Sequence, residues 1–123
     1  MLLVIIDGMI AEINRFYRTD LIVMDAAEGF TTGGPDKGKL ISPNVIIAGT
    51  DRVAIDAAGV ALLRSYGTMR DVHEGRIFEL EQIARAAELG IGVSSATDIH
   101  LVPLDKTGEA VASKIQAHLD ADQ

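Results

Sequence analysis

The sequence predicts an α/β fold: a layered, mixed sheet of three to four strands flanked by about four helices. Three observations point there. Two apolar runs, one in Asp20–Asp25 (DLIVMD) and one at Val45–Ile47, have the length of a strand. Four segments, starting near Met9, Arg52, Arg76 and Thr107, space their apolar residues at helical intervals. The two kinds of segment alternate, which is the pattern of strands covered by helices.

Composition sets the outer limits. A chain of 123 residues is long enough for one domain with its own core, and 48% hydrophobic residues exclude a disordered chain. Aromatic residues are only 4%, with no Trp, so the core is aliphatic and no platform for stacking bases is offered. Eighteen acidic against eleven basic side chains leave a net charge of -7, which opposes nucleic acid and anionic membrane surfaces. The absence of Cys excludes disulfides, thiolate zinc sites, thiol nucleophiles and a cysteine-held iron–sulfur cluster within the chain. No apolar run approaches a membrane span, and the opening MLLVIID lacks the basic start and small-residue cleavage site of a signal peptide, so a cytoplasmic location is expected.

Leu2 to Ile6 is apolar at every position and reads equally as a short strand or as an early turn of the next helix. From Met9, the spacing of Met9, Ile10, Ile13, Phe16 and Tyr17 predicts an amphipathic helix lying on the sheet, with Glu12, Asn14 and Arg15 turned away. DLIVMD is the first strand. Ala26 to Ser42 holds four of the 12 glycines and no hydrophobic period, and reads as a long, mostly irregular loop of the kind that often binds ligands.

Asn44 to Asp56, NVIIAGTDRVAID, is the stretch the rest is arranged around. Val45, Ile46 and Ile47 form a continuous branched run, expected in a strand covered on both faces. Gly49 permits a sharp turn, and Thr50 or Asp51 can cap the helix that follows. That helix, from about Arg52 to Tyr66, is apolar nearly all round and so should be largely buried. Asp56 is out of place in it, because at one hundred degrees per residue it falls beside Val53, Val60 and Leu63. Such a carboxylate either holds a neighbouring loop through hydrogen bonds or belongs to a site.

Thr68 to Gly75 is a polar connector containing His73. Arg76 to Leu89 is an amphipathic helix with Ile77, Leu80, Ile83, Ala84 and Ala87 inward, stopped by Gly90. Ile99 to Leu104 is expected as a third strand containing His100, closed by Pro103; the two helices before it leave a right-handed parallel crossover from the second strand open, whereas the helix-free link between the first two strands leaves that pair open to antiparallel pairing. Thr107 can cap a last helix with Val111, Ile115 and Leu119 on one face, after which ADQ frays.

Several motifs bear on chemistry. Gly33 to Leu40, GGPDKGKL, falls one residue short of a phosphate loop, with Leu40 where a magnesium-binding hydroxyl is needed and Pro43 soon after, so a nucleotide triphosphatase is rejected. Backbone N–H groups around Gly33, Gly34 and Gly38, with Lys37 or Lys39, are candidates for a small anion, against a turn that only packs. Asp25, Glu28, Asp51 and Asp56 are candidates for a divalent cation, provided the strand ends carrying Asp25 and Asp51 lie on one edge; the competing role for Asp25 and Asp51 is capping. His73, His100 and His118 lack the spacing of a transition-metal site, His100 suiting a core position and His118 the end of a helix. Ser94 and Ser95 lack a nucleophile elbow.

The ordered runs DLIVMDAAEGF, GGPDKGK, NVIIAGTDRVAIDAAG and ELEQIARAAELGIG resemble the C-terminal part of the family named domain of unknown function 362. The resemblance covers roughly Ile10 to Gly92; its most specific element is Gly49-Thr50-Asp51 with Val53, Ala54 and Asp56, and Arg52 stands where the family favours proline. It implies that the chain is a fragment of a longer member, lacking an N-terminal half and a cysteine-rich ferredoxin-like module. It implies no established activity. The resulting expectation is a cytoplasmic domain contributing Gly33, Gly34, Gly38, Lys39, Thr50, Asp51 and Asp56 to a ligand site, or Asp25, Glu28, Asp51 and Asp56 to a metal site, completed by other segments. The alternatives are a non-catalytic packing or interaction module, and a redox-associated subunit beside an iron–sulfur partner.

Overall fold

The computed structural model describes residues 9–32, 38–68 and 70–123, without the side chains of 70 and 71. The readings at Leu2–Ile6, Gly33, Gly34 and Lys37 lie outside those residues.

The fold is mixed α/β, with a strand content different from the one expected. β1 (Ile22–Ala26) pairs antiparallel with β4 (Val45–Gly49), Ile22 opposite Gly49 and Ala26 opposite Val45. β2 (Gly29–Phe30) and β3 (Leu40–Ile41) form a second, separate antiparallel pair inside the loop read as irregular, continued by the Thr31 N–H donating to the Lys39 carbonyl at 3.0 Å. Among the described residues, two two-stranded ladders therefore stand in place of the single sheet of three to four strands. Ile99 to Leu104 forms no strand, so the parallel crossover does not form, and His100 is exposed rather than in the core.

β4 also departs from expectation. Its side chains alternate: Val45 and Ile47 pack against the core, whereas Ile46 is 70% exposed. The branched run is covered on one face, because the helices that contact this ladder lie on that side. Periodicity alone cannot reveal that, since a run of Val and Ile suits a half-covered strand as well as a fully covered one.

α2 (Arg52–Ser65) is the central helix, and its start and stop were readable in the sequence. Asp51 is the N-cap, Tyr66 the C-cap, and Gly67 turns the chain away at φ +76°. Ala57, Ala58 and Ala61 are almost wholly buried, and these small side chains let α5 (Lys106–Asp120) approach closely with Val111, Ile115 and Leu119. Each such aliphatic side chain removed from water contributes roughly 1.5–3 kcal/mol. Asp105 caps α5, its Oδ1 accepting from the Gly108 N–H at 2.7 Å, rather than Thr107.

The helix expected over Arg76–Leu89 is broken in two. A 3-10 turn spans Ile77–Glu79, Leu80 is extended, and α4 runs from Glu81 to Glu88 before Gly90 turns at φ +69°. Asp122, buried in the tail expected to fray, accepts from the Ile77 N–H and, at 3.2 Å, from the Phe78 N–H, capping the start of that 3-10 turn. Arg64 works in the same region. The residue is 9% exposed, and its guanidinium donates to the carbonyls of Val72 (2.7 Å), Gly75 (2.8 Å) and Glu74 (3.3 Å), closing the end of the short helix α3 (Arg70–His73). Burial lowers the Arg64 pKa and the Asp122 charge opposes that shift.

α1 covers residues 9–13 and runs into a 3-10 turn at Asn14–Phe16. Its orientation is the reverse of the amphipathic reading: Met9, Ile13, Phe16 and Tyr17 are exposed, while Ala11 is buried. Polar contacts decide the docking. Glu12 pairs with Arg85 of α4, whose guanidinium holds the Glu12 carboxyl below its ordinary value, and Arg52 of α2 donates to the Asn14 carbonyl at 2.6 Å. Arg52 also stacks 5.3 Å from the Tyr17 ring.

Candidate functional site

The central stretch delivers its two acids to different places. Asp51 closes the start of α2: one carboxylate oxygen accepts from the Ala54 N–H at 2.8 Å and the other from the Val93 N–H at 2.9 Å. The helix N-terminus is thus filled by the protein's own carboxylate, which leaves it poorly suited to an external anion. Gly92 is part of this contact, since a Cβ there would lie 2.9 Å from Oδ2 and nearer still to Oδ1. Capping, one of the two roles weighed for Asp51, is the one it performs.

The antiparallel register separates Asp51 from Asp25. Asp25 lies opposite Ile46, one residue from the Val45 end of the ladder, while Asp51 follows Gly49 at the other end. The four-carboxylate metal site therefore does not assemble, and among the described residues no three Asp, Glu or His side chains converge closely enough to hold an ion. Thr50 is exposed beside Asp51. Gly38, at φ 133°, and Lys39 are exposed next to β3, and the Lys39 N–H donates to Thr32 Oγ1 at 3.2 Å.

The other three acids do share a feature. A groove of about 630 Å³ opens between β1, the β2–β3 ladder, α2 and α4. Its walls are apolar, from Met24, Ala26, Ile41, Leu62, Leu63 and Ile83, and its edge carries Asp25, Glu28, Asp56 and Glu81. Each of these carboxylates belongs to an exposed residue. The missing side chain at Gly59 makes room on the α2 wall for the tip of Met24, whose Cε would lie 2.9 Å from a Cβ at that position. The volume falls inside the range of about 300–1,000 Å³ typical of small-ligand pockets.

Asp56 needs correction. Its helical position beside Val53, Val60 and Leu63 suggested burial, yet it is exposed, because that face of α2 lines the open groove instead of packing. Among the described residues it has no hydrogen-bond or ion-pair partner, so it holds no loop in place. Partial desolvation by the apolar surroundings raises its carboxyl above the ordinary value. A raised folded-state pKa means that the charged form disfavours folding at neutral pH. The penalty fades as pH falls through the folded pKa and is gone below the unfolded value of 3.8. Asp56→Asn is accordingly expected to leave stability at pH 7 unchanged or raised, with the difference from the parent vanishing below pH ~4. Urea unfolding at both pH values checks this, and a clear loss of stability at pH 7 would restore a structural role for the carboxylate.

Glu81 was not singled out from sequence. It reads there as one of several outward charges of an amphipathic helix, and only the break at Leu80 and the docking of α4 bring it to the groove. Asp25 was readable as an Asx turn, its Oδ1 accepting from the Ala27 N–H at 2.9 Å.

Residues 4–61 match the model of the family described as Domain of unknown function (DUF362), a little under half of the chain. The groove-lining residues up to Val60 fall within that span, and Glu81 lies beyond it. No curated protein and no solved structure matches the chain. No helix among the described residues is long and apolar enough to cross a membrane.

Proposed function

We propose that this chain is a cytoplasmic small-ligand-binding domain of the DUF362 type and that its site is the groove between β1 and α2. The observation that carries the reading is the meeting of Asp25 and Glu28, from the end of β1 and the turn after it, with Asp56 of α2 on one apolar concavity of ligand size. Asp56 supports it further. A carboxylate with a raised pKa and no partner among the described residues is better explained by a ligand than by stability. Divalent cations fit less well, because they take six or more oxygens at about 2.0–2.6 Å and these carboxylates are spread round an apolar opening.

A two-dimensional amide NMR titration tests the site. Small apolar fragments are expected to shift resonances of Met24–Glu28, Gly59–Leu63 and Leu80–Ile83, and Gly59→Leu, which fills the wall, is expected to abolish those shifts. Magnesium, calcium, manganese and phosphate are expected to leave the same resonances in place. Localised shifts with a divalent ion at Asp25 and Asp56 would replace this reading with a metal site.

A second reading, a non-catalytic interaction module, is favoured by the exposed apolar side of α1. Phe16 is 87% exposed and Met9 and Ile13 are 56% exposed, with nothing among the described residues covering them. Docking of a further segment or of an iron–sulfur partner belongs to this reading and draws its support from the family resemblance. A strictly monomeric chain that binds no hydrophobic dye would count against it.

A further inference from the structure

We propose that the groove takes a protonated amine carried on an apolar body, a deduction that rests on its being the ligand site.

The walls and the rim ask for different parts of one molecule. Leu62, Leu63, Met24 and Ile83 offer apolar surface over most of the opening, which favours a hydrocarbon body at roughly 25 cal/mol per Å² covered. The polar groups at the edge are of one sign: four carboxylates and the neutral Gln82, with no Lys, Arg or His among the described lining residues. An anionic ligand would meet four like charges and, among the described lining residues, no positive charge to compensate them. A bare metal ion would find no cluster of three ligating side chains among the described residues and would leave the apolar walls uncovered. An organic cation satisfies both parts, burying its body while its charge stays at the wet edge, as a lysine side chain does on a protein surface.

The kind of cation can be narrowed. No aromatic ring stands among the described lining residues, so the cage that holds a quaternary ammonium by cation–π attraction is missing. A primary ammonium instead carries three N–H donors, and carboxylates accept from them in charge-assisted bonds stronger than neutral ones. Asp56 of α2 and Glu81 of α4 line the groove together with Asp25 and Glu28 from the end of β1 and the turn after it, so acceptors for such donors come from both the helices and the strand.

The experiment compares three probes of similar body on the full chain at pH 7: phenethylamine, phenethyl alcohol and phenylacetate, followed by amide NMR. The amine is expected to bind in the groove about tenfold or more tightly than the alcohol, a difference near 1.4 kcal/mol, with phenylacetate the weakest. Asp56→Asn combined with Glu81→Gln is expected to bring the amine down to the level of the alcohol while leaving alcohol binding in place. Equal binding of amine and alcohol, or an amine preference untouched by the double substitution, overturns the amine assignment and leaves the groove as a neutral-ligand site. No shift of groove resonances with any of the three overturns both.

Discussion

Arg64→Met is expected to destabilise the protein by about 3 kcal/mol and to loosen the segment from α3 to the Ile77 turn before the rest of the chain unfolds. Three backbone carbonyls, of Val72, Glu74 and Gly75, accept from this one guanidinium, and hydrogen bonds to a charged group contribute about 1.5–3 kcal/mol each. The loss falls short of their sum because Glu74 and Gly75 are exposed, so water can replace part of what is removed. Methionine keeps most of the apolar stem, which confines the change to the charged head. Arg64→Lys is the sharper test: a single ammonium cannot reproduce the planar fork spanning three carbonyls, so lysine is expected to recover less than half of the loss. Urea unfolding gives the global cost, and amide hydrogen exchange over residues 72–78 gives the local one. A lysine variant as stable as the parent would show that charge near Asp122, rather than the carbonyl contacts, is what matters.

Gly92→Ala should cost a comparable 2–3 kcal/mol, for a reason that involves no cavity and no unusual backbone angle. The added methyl group would overlap the Asp51 carboxylate, which is fixed by two N–H groups and cannot withdraw without releasing one of them. Releasing the Ala54 N–H removes a helix cap worth about 0.5–2 kcal/mol, and releasing the Val93 N–H leaves a half-buried donor unsatisfied at about 1–3 kcal/mol. Asp51→Ala loses both bonds directly. The two substitutions act on one contact, so their costs should not add: Asp51→Ala with Gly92→Ala is expected to be barely less stable than Asp51→Ala alone. Additive losses in a double-mutant cycle would mean that Gly92 is required for something other than room for the carboxylate.

The Asp51 clamp marks how far sequence reading carries into the third dimension. That an acid after Gly49 caps a helix was legible, because capping is settled by the residue and the few N–H groups next to it. That its second oxygen reaches Val93, 42 residues on, was not. Asp56 shows the opposite failure. Its place on the helix wheel was right, yet its neighbours on that face line an open groove instead of a packed interface, and no local signal separates the two. Two of the loop glycines proposed for a ligand, Gly33 and Gly34, lie outside the described residues, whereas the acids proposed for a metal fall into one groove group and one cap.

The positions of α2 and α5, the C-terminal stop of α4, the turns at Gly67 and Gly90, and the strand character of β1 and β4 all follow from interactions within a few residues: apolar spacing, caps and positive-φ glycines. Side-chain periodicity records which residues share a face, and that much is local. Which face is covered depends on the partner that arrives. Polar ties from Arg85 and Arg52 accompany an apolar side of α1 left in solvent, one-sided packing leaves Ile46 exposed, and an extended Leu80 splits a helix that is continuous by pattern. The groove with its four carboxylates is the product of those choices, assembled from residues 24 to 83 by contacts that no single stretch of sequence contains.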